Sequence, residues 1–310
     1  MFDMILQTLP FFGIIALGFG AGQTGFFTPS AVAGLTKFVF YFAMTALLFR
    51  FTATLDLAQL LDLRFLAAYG LATTALFVLV VAVARLRHRP WAEAAVEAHA
   101  GVAGNTIFLG IPVITTLLGQ QAVAPLLAVM LSDLVVFSSL VVIITMAARE
   151  GQLKASSILN VGLGLIKNPM LAAVALGFVW QITRLPLPGP VDVMMKTLGD
   201  ASTPAALFLI GASLAGKSAE RMAVASWLSF VKLVLHPLFV AGAALWLFGV
   251  PPFAAAVMIA AAALPTAGYV YMMAAHNDVA PRRVSATILI STIVSVVSIT
   301  AVIAMVSTLF

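Results

Sequence analysis

No cysteine occurs in the 310 residues. That absence excludes disulfides, thiol nucleophiles and thiolate metal sites, and is neutral about compartment. Charge is almost as scarce: Asp, Glu, Lys and Arg make up 9% of the chain, against about 25% in a soluble domain. The eleven acids are mostly scattered singly, without the Asp-rich pairs of prenyl or phosphoryl transferases. His-Glu-x-x-His and Gly-x-Ser-x-Gly are both missing. The last apolar segment has no lysine, which argues against a retinal-type receptor. An enzyme is therefore not expected, nor a metal or an organic cofactor.

Apolar residues fill the space instead. They account for 63% of the chain, where a soluble domain has about 45–50%. The chain reads as an all-α integral membrane protein whose first partner is the lipid bilayer. Ten windows read as spans: 3–22, 32–51, 65–85, 98–118, 122–147, 167–183, 192–215, 224–248, 253–275 and 284–308. Each approaches the roughly 20 apolar residues that cross a hydrocarbon core as a helix. Thr28-Pro29-Ser30, Arg87-His88-Arg89-Pro90, Leu185 to Pro190 and Pro251-Pro252 punctuate the intervals. Met1-Phe2-Asp3 lacks a basic n-region, so the first span is expected to remain rather than be cleaved.

The net charge of +5 follows from topology rather than from nucleic-acid binding. With the N-terminus outside, inside loops hold Arg85, Arg87, Arg89, Arg149, Lys154, Lys167, Lys217, Arg221, Arg282 and Arg283; Arg50, Arg64 and Arg184 fall outside. That bias obeys the positive-inside rule and puts both termini in the periplasm of a cytoplasmic membrane. The expected organisation is a first five-helix repeat at 1–148, a short cytoplasmic loop at 149–166 and a second, inverted five-helix repeat at 167–310. Lys37 and Lys196, Leu48 and Leu207, and Phe49 and Phe208 share an offset of 159; Arg64 and Arg221 follow at 157, and Pro112 and Pro265 at 153. Inverted repeats of this kind are common among secondary transporters.

The stretch GNTIFLGIPVI, Gly104 to Ile114, places an Asn, two Gly and a Pro inside a span. Pro112 is expected to free the carbonyl of Phe108, and Pro265, in Ala263 to Gly268, that of Ala261. Irregular backbone at membrane depth is tolerated only against protein or a water-filled cavity. Two broken crossover helices, the fourth and ninth, would therefore surround a site. Half-helix N-termini carry positive partial charge and free N–H donors, which suit an anion. Asn105, Thr106 and Thr266 would add neutral donors, Gly110, Pro112 and Pro265 shape the breaks, and Tyr269 or Tyr271 would wall the pocket.

Asp133 lies midway along the fifth span, where an ionisable group is functional by default. It is read either as the site of a coupling proton or sodium ion or as the partner of a buried cation such as Lys232. Lys196 and Asp200, four apart, are expected to form a structural ion pair rather than touch substrate. Lys37 is expected to snorkel or pair. His99 and His236 lack metal-ligand spacing and are expected to pack.

These residues resemble the auxin efflux carrier family, which contains the plant auxin exporters and bacterial carriers of malonate, malate and other organic acids. Asn105-Thr106 followed by Gly110-Ile111-Pro112 is similar to the family's fourth-span motif, and Ala262-Ala263-Leu264-Pro265 to its ninth-span motif, with Pro281 at the matching distance. Phe27 to Phe51 resembles the second span, Asn168-Pro169 the entry to the sixth, and Leu198-Gly199-Asp200-Ala201 a segment of the seventh. The resemblance implies a ten-span fold like that of bile-acid and sodium/proton carriers. It further implies a dimerising scaffold from spans 1, 2, 6 and 7, a mobile unit from spans 3–5 and 8–10, and an elevator-type movement of that unit. A substrate carboxylate would sit at the crossover beside Asn105. The chain departs from the plant members at Gly104 and Val270, where they carry proline, and in its short 149–167 connection. A bacterial inner-membrane carrier is the better match, with malonate- or malate-like anions as leading substrates and auxin-like acids as further ones. The alternatives are a sodium- or proton-coupled bile-acid-type symporter and an anion channel.

Overall fold

The computed structural model describes residues 2–54, 62–150, 155–215 and 222–309. Among them regular structure is entirely helical, apart from one isolated backbone bridge. Lys154, Lys217 and Arg221, three of the charges that set the expected orientation, lie outside the described residues.

Among the described residues, five helices are long and apolar enough to cross a membrane: Pro29–Thr54, Leu63–Leu86, Gln120–Ala148, Met222–Leu247 and Pro281–Leu309. Leu9–Gln23, Thr106–Leu118, Pro169–Ile182 and Pro252–Ala262 are shorter apolar helices. The helix Gly189–Leu214 is 26 residues long and carries Asp192, Lys196 and Asp200 on its first turns. Within the connection expected at 149–166, Ala155–Ile166 is helical, a segment with the apolar run Ile158 to Ile166 interrupted only by Asn160 and glycines.

The helix starts follow local chemistry. Asp62 accepts from the N–H groups of Arg64 and Phe65, at 2.9 and 3.2 Å, and caps Leu63–Leu86. Asn168 does the same for Met170 and Leu171, at 2.9 and 3.4 Å. Proline occupies the first turn after Thr28, Asn168, Pro251 and Ala280, where its missing N–H costs nothing.

The helices form two compact units. One comprises Met1–Thr8, Asp62–Val161 and Lys217–Phe310; the other comprises Leu9–Leu61 and Gly162–Gly216. Each draws on both halves of the sequence. In the second unit, small residues let helices touch backbone to backbone. A Cβ on Gly18 would lie 2.0 Å from the Phe208 carbonyl oxygen, and one on Gly211 1.8 Å from that of Ile15. Close approach of this kind is how helices gain packing energy in lipid. The same unit holds two ion pairs, Arg50 with Asp192 at 2.7 Å and Lys196 with Asp200 at 2.5 Å, the latter at the expected i,i+4 spacing.

The first unit holds the breaks. Its apolar core runs through Ala94 to Val102, Leu126 to Met130 and Ala255 to Leu264, most of them fully buried. Alanine dominates the last stretch, so helices can approach closely there, and the polar groups of the crossover are buried against it.

Candidate functional site: a crossover of two broken helices

Trp91–Val102 ends at Ala103, whose extended backbone (φ −73°, ψ 114°) starts the first break. Pro252–Ala262 ends four residues before Thr266. The two unwound segments meet as an antiparallel bridge between Gly104 and Thr266. Asn105 N–H donates to the Pro265 carbonyl at 2.8 Å, and Ala267 N–H to that of Ala103 at 3.1 Å. Thr266 is held further: its N–H reaches Ser291 Oγ at 3.2 Å, and its hydroxyl donates to the Ala100 carbonyl at 2.8 Å. Backbone freed from the helices is thus paired across the crossover, as burial in an apolar medium demands.

The break positions differ in detail from expectation. Pro112 is not where the fourth helix parts; it occupies the first turn of Ile111–Leu118, after a π-helical turn over Thr106–Gly110. The chain parts at Ala103–Asn105 instead. At the second break Pro265 is in the unwound segment, yet the Ala261 carbonyl is not left free, since Leu264 N–H donates to it at 3.2 Å. The carbonyl that finds an unusual partner is that of Ala262, which accepts from the Lys232 ammonium.

Beyond the breaks the donors are open. Among the described residues, the N–H groups of Thr106, Ile107 and Phe108 and those of Gly268 and Tyr269 make no hydrogen bond. They begin the helices that follow each break, so each set carries the positive end of a helix dipole. Asn105 stands at the head of the first set, 5% exposed. Its carbonyl accepts from Leu109 and Gly110 N–H, at 3.1 and 2.9 Å, while its side-chain amide has no hydrogen bond among the described residues. Gly110 packs closely on the second break: a Cβ there would lie 2.6 Å from Leu264 Cδ1, so that side chain would have to shift.

A small cavity opens at this point, lined by Gly104, Thr106, Ile107, Met130, Asp133, Leu134 and Tyr269. Its empty volume is about 160 Å³, of which about 10 Å³ is wide enough for the centre of a water molecule. That is room for about one water, and less than a diacid needs. The Tyr269 hydroxyl is buried and makes no hydrogen bond among the described residues. Tyr271 does not line this cavity and is partly exposed.

Asp133 is buried at 2% exposure within a second π-helical turn, Ser132–Phe137. Tyr69 donates its hydroxyl to Oδ1 at 2.7 Å, and Gly104 N–H approaches Oδ2 at 3.4 Å. The expected partner, Lys232, forms no direct ion pair with it; a third π-helical turn, Val231–Leu235, carries Lys232 to Ala262 and to His236 Nδ1 at 3.1 Å. His236 continues through Nε2 to Thr73 Oγ1 at 3.1 Å. His99 packs its ring on Tyr269, centroids 5.7 Å apart, with Nε2 at 3.5 Å from Ser138 Oγ. Both histidines are fully buried, and among the described residues no cluster has the composition of a metal site. π-helical turns often mark functional sites, and here three of them carry Thr106, Asp133 and Lys232.

Sequence reasoning missed Tyr69, Thr73 and Ser291. Two weak signals could have found them: a tyrosine amid an apolar span needs a partner for its hydroxyl, and Thr287, Ser291 and Ser295 recur every four residues along one face of the last helix. It also missed a charge cluster in the same unit, where Arg283 binds Glu97 and, at 3.1 Å, Glu93, while Arg87 binds Glu97 from the other side.

Comparison with known proteins identifies the family. Residues 3–303 match the family model described as "Membrane transport protein". A protein of Rhizobium meliloti (strain 1021) named "Putative malonate transporter" is 29% identical over 297 residues, 94% of this chain and 92% of the relative. The relative's name and the family both point to transport rather than catalysis. A multi-pass helical membrane protein with two broken helices tied together at their breaks, this chain belongs to the membrane transport protein family, the auxin efflux carrier family that its motifs resemble.

Proposed function

We propose that the chain is a secondary carrier of small organic anions, with a mono- or dicarboxylate of the malonate or malate kind as its substrate. The observation that carries this reading is the crossover: two sets of unpaired helix N-terminal N–H groups, following breaks bridged at Gly104 and Thr266, with the unpaired Asn105 amide beside them. Fixed backbone donors in a dry site favour negative charge without placing a mobile counter-ion there. Asn105, Thr106 and the N–H groups up to Phe108 bind the carboxylate from one side, and Gly268 and Tyr269 from the other. Thr266 is a structural member of the site, because both its N–H and its hydroxyl are already engaged. Gly104 and Pro265 shape the breaks, while Gly110 and Pro112 lie in the helical segment that follows the first one. Tyr271 contributes nothing to this pocket.

Ten spans in two inverted halves, with both termini periplasmic in the inner membrane, remain our reading of the topology. Every one of the ten sequence windows contains a described helix, and the breaks fall in the fourth and ninth. Alternating access is a displacement of the unit that holds the crossover, and the other unit supplies a homodimer contact; both follow from the family resemblance. Asp133 takes the coupling proton, since among the described residues it is the acid that lines the cavity.

Purified protein in proteoliposomes is expected to take up labelled malonate saturably and to exchange it for unlabelled malonate on the other side. A thermal-shift panel of carboxylates, sugars and organic cations checks the class independently. Stabilisation by sugars or cations alone would remove the anion assignment. Linear, non-exchanging flux would indicate a channel.

A further inference from the structure

The crossover has a second pole, at the end of the helix before the second break. The last carbonyls of Pro252–Ala262 have no helix to continue into, so they present the negative end of a helix dipole at membrane depth. Ala262 O receives the Lys232 ammonium. Ala261 O faces Gly104 closely: a Cβ on Gly104 would lie 3.1 Å from that oxygen and 3.4 Å from Lys232 Nζ. Carbonyl, ammonium and the glycine of the first break therefore form one cluster.

Lys232 is fully buried. Its second contact, His236 Nδ1, must accept, because an ammonium has donors only; His236 is then the neutral tautomer that donates from Nε2 to Thr73. Among the described residues no carboxylate lies within ion-pair distance of Lys232. Asp133 lies across the Gly104 backbone, whose N–H approaches its Oδ2 at 3.4 Å. A cation held in this way is hard to explain as packing, since an apolar side chain would fill the space without the desolvation cost. In carriers built on broken helices, unwound carbonyls and half-helix C-terminal ends are where a coupling cation is coordinated. Here a side chain of the protein occupies them.

We propose that Lys232 is a tethered substitute for a coupling cation: its ammonium fills the carbonyl end of the second break, so that the crossover assembles without sodium or any other free cation at that place. This deepens the carrier reading above by assigning the ion specificity of the same site. Its consequence is that removing the side chain uncovers a latent cation site made of the Ala261 and Ala262 carbonyls.

The test uses the purified full chain in two assays, thermal stability and malonate uptake. Wild-type stability is expected to be the same in sodium, potassium and choline chloride at equal ionic strength. Lys232→Ala should lose uptake by at least about tenfold, as expected when a charged donor leaves buried acceptors unpaired. Methylammonium or sodium in the millimolar range should then raise the stability of Lys232→Ala, with no effect on wild type, and restore part of its uptake. A structural lysine would not be replaced by a small cation in solution. Specific sodium stabilisation of the wild type overturns the proposal, and so does a folded Lys232→Ala that no small cation stabilises. Where Lys232→Ala does not reach the membrane, the wild-type comparison decides alone. If the wild type moves no malonate, the substrate reading fails while the cation titrations of stability still judge Lys232.

Discussion

The Tyr69 hydroxyl donates to Asp133 Oδ1 at 2.7 Å, and the opposite oxygen of the same carboxylate faces Gly104 N–H at 3.4 Å. One acid thereby ties the helix Leu63–Leu86 to the first break. A proton arriving at Asp133 would exchange an acceptor for a donor at one of these contacts and so bear directly on the crossover backbone. Asp133→Asn keeps the size and fixes the neutral state. It is expected to reach the membrane folded and to take up malonate at a rate that no longer varies with pH. Tyr69→Phe removes one hydrogen bond to a charged group, worth about 1.5–3 kcal/mol, and should displace the pH profile without flattening it. An Asp133→Asn profile that matches wild type would return this acid to a structural role.

Glu97 is the hinge of the charge cluster in the same unit. At 1% exposure it is held between Arg87 and Arg283, and Arg283 is itself only 7% exposed. Glu97→Gln leaves buried positive charge without its main partner, a change that costs about 3–5 kcal/mol in comparable buried pairs. Glu93 is 29% exposed and holds Arg283 at 3.1 Å, so Glu93→Gln should cost about 0–1 kcal/mol. Melting temperatures in detergent should therefore separate the two variants clearly, with Glu97→Gln the lower. Equal melting temperatures would mean that the cluster does not hold the helices Trp91–Val102 and Pro281–Val306 together.

The glycine contacts of the other unit make a sharper stability test. At Gly211 a Cβ would have to sit 1.8 Å from the Ile15 carbonyl oxygen, and backbone cannot turn aside as a side chain can. Gly211→Ala should force the helices Phe2–Gln23 and Gly189–Leu214 apart and destabilise by about 1–3 kcal/mol or more. Gly13 lies on the same first helix, with nothing within 4 Å of its Cβ position, and Gly13→Ala should be neutral or slightly stabilising. Comparable losses from both substitutions would show that helix propensity, not close approach, sets the response.

The residues that announce the crossover are those whose local chemistry is unusual for a membrane helix. Gly104, Asn105 and Pro265 could be picked out of the sequence for that reason, and the bridge joins their immediate neighbourhood. Pro112 misled because proline is as much at home in the first turn of a helix as at an interior kink, and the sequence does not distinguish the two. Pairing Lys232 with Asp133, one of the two readings of that acid, rests on charge alone. The structure gives each a different partner, because frayed backbone at the two breaks competes for both. Tyr69, Thr73 and Ser291 were hidden for another reason: their partners are 64, 163 and 25 residues away, on helices whose packing no local pattern specifies. The division into two compact units interleaves both halves of the sequence, a grouping that the family resemblance implies and no local pattern specifies.

Asn105 bears most directly on the carrier reading. Its backbone is committed on both sides, to Pro265 and to Leu109 and Gly110, whereas its amide is left over at the head of the open N–H groups. If that amide donates to a bound carboxylate, Asn105→Ala removes one neutral donor to a charged acceptor, a loss of about 1.5–3 kcal/mol. Malonate affinity should then fall by roughly ten- to a hundredfold. Asn105→Asp is the more discriminating change, because nearly the same volume would present an acceptor and a negative charge to the anion. The backbone bridge makes no use of the amide, so melting temperature and expression should stay near wild type while malonate binding disappears. Isothermal titration and uptake on the two variants provide the comparison. Near-normal affinity in Asn105→Asp would place the anion elsewhere and reduce the break at Ala103–Asn105 to a kink in a packed helix.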